Sequence, residues 1–450
     1  MFAAVASAEA RFFRDDGAFS ITTAVPVAVN IPADRPDRTR RCLPQRHQRD
    51  DHSCGVDGKE GCRRETDEAV CLLVLRVQRG RHRGASHHDG EDVRCGGERK
   101  EPVPVRIRDD HYHHEAVVIG AGQAGLATAF YLLRAGVDTL VLDDQPASGG
   151  AWRHVWPSLR LFSTAGFSNL PGMPMPSYDG YPPASHVVDY LSAYEHRYQV
   201  PVERPVQVTR VVHHDGTFRI DAERRCDGQV VRRSSTATTV IAATGTWSAP
   251  FVPGYPGRFT GTQWHSANYP GPAPFRGSTV AVVGAANSGA QIAAELTEDP
   301  GVGEVDWYTR HPPRWMPDEV DGRVLFRRNR ARAAAIDRGD PDPGADSGLG
   351  DIVVLPQVRA ARDAGDLEAT PMFSSLDDVE ADQLIWCTGF RPALGPVRRL
   401  VTDGSPQVPG LVLVGYGDWT GPGSATITGV GPFAKAAARQ AAERVGKTVR

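Results

Sequence analysis

Gly120, Gly122 and Gly125 stand at G-x-G-x-x-G spacing directly after the apolar run Ala116–Ile119, and the chemistry that this spacing serves is the binding of a dinucleotide. The first glycine permits a tight turn, the second lets backbone N–H groups approach a pyrophosphate, and the third lets the next helix close on the strand. Gln123 and Ala124 fall where that helix begins, so its positive end faces the phosphates. Asp143 ends the following apolar run, about twenty residues on, where a carboxylate can accept from ribose hydroxyls. A second unit, TVAVVGAANSGAQIAAEL at 279–296, repeats the pattern with Gly284 and Gly289 in the outer positions and Ala286 in the middle one. An added methyl there crowds the closest approach to a pyrophosphate. The apolar run after it ends in Arg310 instead of an acid, and a guanidinium can hold a 2′-phosphate bidentately, which selects NADPH over NADH.

These residues need strands and helices to hold them, and the pattern along the chain supplies both. Residues 116–119 and 137–142 read as parallel strands around a helix at 124–134 that Gly136 stops. Val187, Val188, Leu191 and Tyr194 have helical spacing within 181–198, and 206–212 and 218–220 alternate like antiparallel strands. A strand near 238 ends in Ala243-Thr244-Gly245, another runs over 304–309, and 384–387 leads into Thr388-Gly389. Residues 318–345, rich in Arg, Asp, Gly and Pro, read as a mobile loop or lid. A helix is expected within 352–364 and a polar connection over 365–382. A last strand at 410–418 ends in Gly417-Asp418, and an Ala-rich helix covers 430–445. Alternating strands and helices predict an α/β fold.

Length and composition bound the rest. A chain of 450 residues has room for roughly two to four domains. A net charge of -3 gives no field that would recruit nucleic acid. No apolar run reaches the ~18 residues of a membrane helix, and Met1–Ala10 lacks the basic start of a secretory signal, so a cytoplasmic enzyme is expected. Residues 1–113 are dense in Arg, Asp, His and Gly and hold Cys42, Cys54, Cys62, Cys71 and Cys95 without a C-x-x-C pair. They predict no metal site, and read as a disordered extension or as a start assigned too far upstream.

Gly149-Gly150-x-Trp152 after the first fingerprint resembles the flavin-containing monooxygenases and their Baeyer–Villiger relatives, and 154–176 (HVWPSLRLFSTAGFSNLPGMPMP) is most similar to the small bacterial members found in arsenic-resistance operons. Phe259, Gly261, His265 and Tyr269 match the F-x-G-x-x-x-H-x-x-x-Y fingerprint of that class. The resemblance implies an NADPH-binding domain (254–382) inserted in an FAD-binding domain (114–253 and 383–450). It places Gly150 and Trp152 along the FAD, Thr244 and Gly245 at the exit from that domain, Asn287 and Ser288 in the NADPH unit, and Asp418 at the FAD ribityl chain. It further implies that NADPH reduces FAD and that O2 then forms a flavin C4a-hydroperoxide, which passes oxygen to a sulfur, nitrogen or trivalent metalloid centre. His265 reads as a linker histidine, and no acid–base triad is present. The implied partners are a small-molecule substrate and O2, with a homodimer left open. Two other readings stand beside this one: an NADPH oxidase or flavin reductase releasing peroxide, favoured by Ala286, and a non-catalytic flavin-binding sensor. A disulfide reductase is set aside, because Cys226 and Cys387 are isolated.

Overall fold

The computed structural model describes residues 112–226, 229–342 and 348–449. The expectations for 1–111, including its cysteines, lie outside the described residues.

The chain enters on β1 (His113–Ile119), whose last four residues are buried, turns through the glycines into α1 (Gln123–Arg134), and returns on β2 (Thr139–Leu142). Small residues line the buried face of α1, among them Ala124, Ala127 and Ala129, so the helix axis lies close over the sheet. Helix α2 (Ala184–Arg197) buries Val187, Tyr190, Leu191 and Tyr194, and β3 (Val202–Glu203) extends the sheet beyond β2. Three antiparallel strands follow: β4 (Gln207–His214), β5 (Thr217–Cys226) and β6 (Gln229–Ala242). β6 is longer than the apolar run near 238 announces. Its polar first half, QVVRRSSTA, is held by pairing with β5, while its apolar second half lies beside β1.

A second sheet then begins. β7 (Thr262–His265), β8 (Val280–Val283), α3 (Asn287–Glu298) and β9 (Val305–Thr309) are followed by α4 (Gly322–Asp337), α5 (Pro356–Ala364), β10 (Ala369–Pro371) and β11 (Gln383–Trp386). Its order is β10-β9-β8-β11-β7, all parallel. A short ribbon, β12 (Val401–Thr402) with β13 (Ser405–Pro406), precedes β14 (Leu411–Leu413), and β14 joins the first sheet by pairing with β6 at Val240–Ala242. The first sheet therefore has the order β3-β2-β1-β6-β5-β4 with β14 against β6, and the whole second sheet is spliced between two of its neighbouring strands. Helix α6 (Val430–Arg444) closes the chain and packs through Ala434, Ala437, Ala438 and Ala441 near α1. This is an α/β fold with two dinucleotide-binding units, one inserted in the other.

The stretch 318–345 is not a loop throughout: α4 occupies 16 residues of it. Asp321 caps the helix by accepting from the Arg323 N–H at 2.9 Å, and Leu325 and Phe326 anchor it in the core. Among the described residues, no helix is long and apolar enough to cross a membrane.

Candidate active site

The two glycine turns have the same construction. Gly120 has φ +100°, and a Cβ there would stand 2.5 Å from the carbonyl oxygen of Ala243; Gly284 has φ +133°, and its Cβ would stand 2.4 Å from that of Cys387. In each unit the turn is pressed against the end of the adjoining strand, β6 in one case and β11 in the other. The third glycines match as well: a Cβ on Gly125 would lie 1.8 Å from the Gly120 oxygen, and one on Gly289 1.9 Å from the Gly284 oxygen. Such separations are far inside van der Waals contact, so both outer positions demand glycine. The middle positions differ. A Cβ on Gly122 would meet no protein atom within 4 Å, and Ala286 has ordinary extended geometry, φ -117° and ψ -177°, so its methyl costs no backbone strain.

Gly122 and Ala286 both line one cavity of about 1720 Å³ that runs between the units. That exceeds the roughly 300–1,000 Å³ of an ordinary small-molecule pocket and leaves room for two extended nucleotides. Around the first turn, the Trp152 indole N–H donates to the Gln123 side-chain oxygen at 3.0 Å, and the Gln123 amide donates to the Ala425 carbonyl at 2.7 Å. Gly150 has φ +53°, and a Cβ there would stand 2.9 Å from the Gly122 Cα. The Thr244 N–H donates to the Tyr416 hydroxyl at 3.1 Å, and the Thr244 hydroxyl donates to the Ala393 carbonyl at 2.8 Å. Burial pushes the Tyr416 phenol up to about 12. Gly245, at φ +63°, turns the chain out of the sheet. These groups, with Gly120, Ala124 and Asp418, line the cavity beside the open face of Gly122. The N-terminus of α1 and the empty Cβ position of Gly122 fit a pyrophosphate carried by FAD.

Asp143 also lines the cavity but is almost fully buried. It accepts from the Ala121 N–H at 3.2 Å and from Arg204 Nε at 3.1 Å, while Arg204 forks onto Glu195 at 2.6 and 2.8 Å. Burial raises its carboxyl above the usual range, against the opposing pull of the Ala121 N–H and Arg204. Arg204 gives no sign of this role in the sequence, since Asp143 lies 61 residues away along the chain.

In the second unit, Arg310 lines the cavity, and its guanidinium donates to the Tyr255 hydroxyl at 3.1 Å. Asn287 turns elsewhere: its oxygen accepts from the Val353 N–H at 2.8 Å and its amide donates to the Asp351 carbonyl at 3.3 Å. Asn287 thereby pins the segment between α4 and α5. Neither it, nor Ser288, nor Gly289 is among the residues lining the cavity.

None of Phe259, Gly261, His265 and Tyr269 lines it either. His265 lies at the joint between the sheets, with Phe259 in the core on one face of the second sheet and Tyr269 in the core on the other. Gly261 approaches the Asp382 carbonyl so closely that a Cβ would stand 2.1 Å from its oxygen, and Phe259 packs among Val283 and Trp386. His265 ends β7 opposite Trp386. Its Nδ1 accepts from the Ala267 N–H at 3.0 Å, and its ring stands edge-on to Phe390 at 5.0 Å. Burial lowers its pKa to about 4, so the imidazole is neutral at pH 7. Burial likewise raises the Tyr269 phenol.

Three further features escape a reading of the sequence. Trp247 stacks on Phe390 at 5.2 Å along the cavity wall, Phe162 meets Phe326 at 5.8 Å, and Arg332 faces Asp418. Helix α4 carries Phe326 and Arg332. The Cys387 thiol is buried and its pKa raised by burial, so it is no thiolate nucleophile. The arrangement offers cradles, apolar walls and charge, and leaves redox chemistry to bound groups.

Residues 117–324 match the pyridine nucleotide-disulphide oxidoreductase family. A solved flavin-containing monooxygenase from Stenotrophomonas maltophilia is 41% identical, with a TM-score of 0.63 over 74% of this chain and 99% of its own. The uncharacterized oxidoreductase CzcO-like of Geobacillus kaustophilus is 29% identical over 350 residues, 71% of this chain and 96% of that protein. The indole-3-pyruvate monooxygenase YUCCA1 of Oryza sativa subsp. japonica is 32% identical over 233 residues, 50% of this chain and 54% of that protein. Two matching glycine turns on one cavity, together with that identity over almost the whole of a solved relative, make this chain a member of the flavin-containing monooxygenase family, an oxidoreductase that uses FAD and NADPH.

Proposed function

We propose that the chain oxygenates a soft nucleophile, a sulfide, an amine or a trivalent arsenical, at the expense of NADPH and O2. The observation that carries this reading is the single cavity that receives both glycine turns, because electrons can pass between two nucleotides only where their reactive ends meet. When bound, FAD supplies hydride acceptance and the activation of O2. The protein contributes binding and enclosure. In this reading the Gly120–Gly125 turn, Gly150, Trp152, Thr244 and Gly245 seat the FAD, with Asp143 at its ribose and Asp418 at its ribityl chain. Gly284 and Arg310 form the NADPH end, with Arg310 taking the 2′-phosphate, while Asn287, Ser288 and Gly289 shape the turn and helix start behind it without lining the cavity. Residues 114–253 and 383–450 are taken as the FAD-binding domain and 254–382 as the NADPH-binding domain. Phe259, Gly261, His265 and Tyr269 act as positioning residues around the second sheet. Phe162, Met316, Leu325 and Phe326 form an apolar stretch of the cavity wall, which keeps water from the reacting centre.

The arsenic-resistance reading rests on the similarity of 154–176. Trivalent arsenic favours paired thiols, and among the described residues the thiol on the cavity wall is Cys387. A peroxide-releasing oxidase is the second reading, and Ala286 favours it through a loosely held nucleotide. NADPH consumption by the FAD-loaded protein, followed together with hydrogen peroxide, separates the two. Consumption accelerated by a sulfide, an amine or an arsenical, with little peroxide, is expected. Stoichiometric peroxide under every condition would assign the oxidase.

A further inference from the structure

Helix α4 belongs by sequence to the inserted unit, yet it is fastened to the other one along its length. The Gly322 N–H donates to the Phe162 carbonyl at 2.8 Å, and a Cβ on Gly322 would stand 2.7 Å from the Ser163 Cβ. Phe326 lies against Phe162 one turn later. Asn329 packs under Gly423, where a Cβ would stand 3.2 Å from its side-chain nitrogen. Arg332 completes the row: Nη1 faces both oxygens of Asp418 at 3.4 Å, while Nε and Nη2 hold the two oxygens of Asp342 at 2.7 and 2.8 Å.

The two carboxylates are not equivalent. Asp342 is the more exposed, at 44%, and takes the short fork; Asp418 is 25% exposed, lines the cavity and takes the long, symmetrical contact. Fork geometry fixes the guanidinium plane, so Asp342 anchors the cation and keeps it from closing on Asp418. A contact at 3.4 Å balances the charge of Asp418 while leaving its lone pairs open to hydroxyl donors. Removing the cation would leave two carboxylates near one another without the charge between them, and Asp418 free to swing.

We propose that Arg332 is a positioning residue for Asp418, so that a helix of the inserted unit helps to hold the flavin in the unit that surrounds it. The inference rests on the reading of Asp418 as a flavin-facing carboxylate, and the two can be tested apart. The measurement is the rate of FAD release from diluted holoenzyme, followed as the rise in free-flavin fluorescence. Arg332→Ala should speed release roughly tenfold, the scale of one charge-assisted hydrogen bond, and Arg332→Lys should recover part of this by restoring the charge without the fork. Asp418→Asn should also speed release, and adding Arg332→Ala to it should change little further. Arg330→Ala, an exposed arginine on the same helix away from the cavity, should release FAD at the wild-type rate. If Arg332→Ala does not fold, Arg332→Gln or Arg332→Lys completes the cycle with Asp418→Asn. Release within twofold of wild type for the Arg332 variants, with a clear effect of Asp418→Asn, overturns the inference alone. Multiplicative effects in the double variant overturn it also, because a merely structural arginine would act independently of Asp418. No effect of Asp418→Asn overturns the reading beneath it.

Discussion

At Ala286 a single methyl distinguishes two glycine turns that otherwise match to about a tenth of an ångström at both outer positions. Because its backbone is ordinary extended chain, the methyl acts on the ligand and not on the fold. Overpacking by one methyl costs about 1 kcal/mol or more, so Ala286→Gly should tighten NADPH binding roughly fivefold. Titration of the oxidised holoenzyme with NADP+ reads this directly, and FAD release should stay unchanged. An unaltered affinity would place the methyl away from the nucleotide. The same turns show what single residues disclose in advance. Outer glycines announce themselves because no other residue can stand there, whereas Asn287 has the right neighbours and a different task, clasping the backbone at 351–353.

Among the elements, α4 is the instructive one. Its arginines, among them Arg323, Arg327, Arg328, Arg330 and Arg332, mask the apolar stripe, and only Leu325 and Phe326 are large and buried. The signal that could have found it is local: Asp321 before Gly322, an N-cap acid one turn ahead of Val324-Leu325-Phe326. Replacing that acid removes the acceptor of the Arg323 N–H, so Asp321→Ala should cost about 1 kcal/mol of stability, measurable by urea unfolding at pH 7. A loss below a few tenths would show that packing alone sustains the helix. The α/β class and both turns are legible because hydrophobic runs and glycine spacing point one way, and the inserted second unit is legible through the family resemblance. The first half of β6 is not, since its polar residues become a strand only through β5. Nor is the Arg204 link between Asp143 and Glu195, which exists only once distant segments meet.

For the molecule as a whole, His265 ties acidity to integrity. It sits at the joint between the sheets, and burial lowers its pKa from 6.5 to about 4. The unfolded chain therefore binds the proton first: stability is full above pH 6.5 and is lost as pH falls towards 4, by about 3 kcal/mol from this group. In His265→Asn that part of the acid loss should vanish, so urea midpoints of wild type and variant, measured at pH 7, 5.5 and 4.5, should converge as pH falls. Parallel losses would assign the acid sensitivity to carboxylates. The splicing of the sheets also bears on how the protein is made. Val240 pairs with Leu411, so roughly 170 residues must be synthesised after β6 before its last neighbour exists. At about 5–20 residues per second that is on the order of 10–30 s. For that interval the edge of β6 at Val240–Ala242 stands without its partner strand, a short template for mispairing that the native chain closes last.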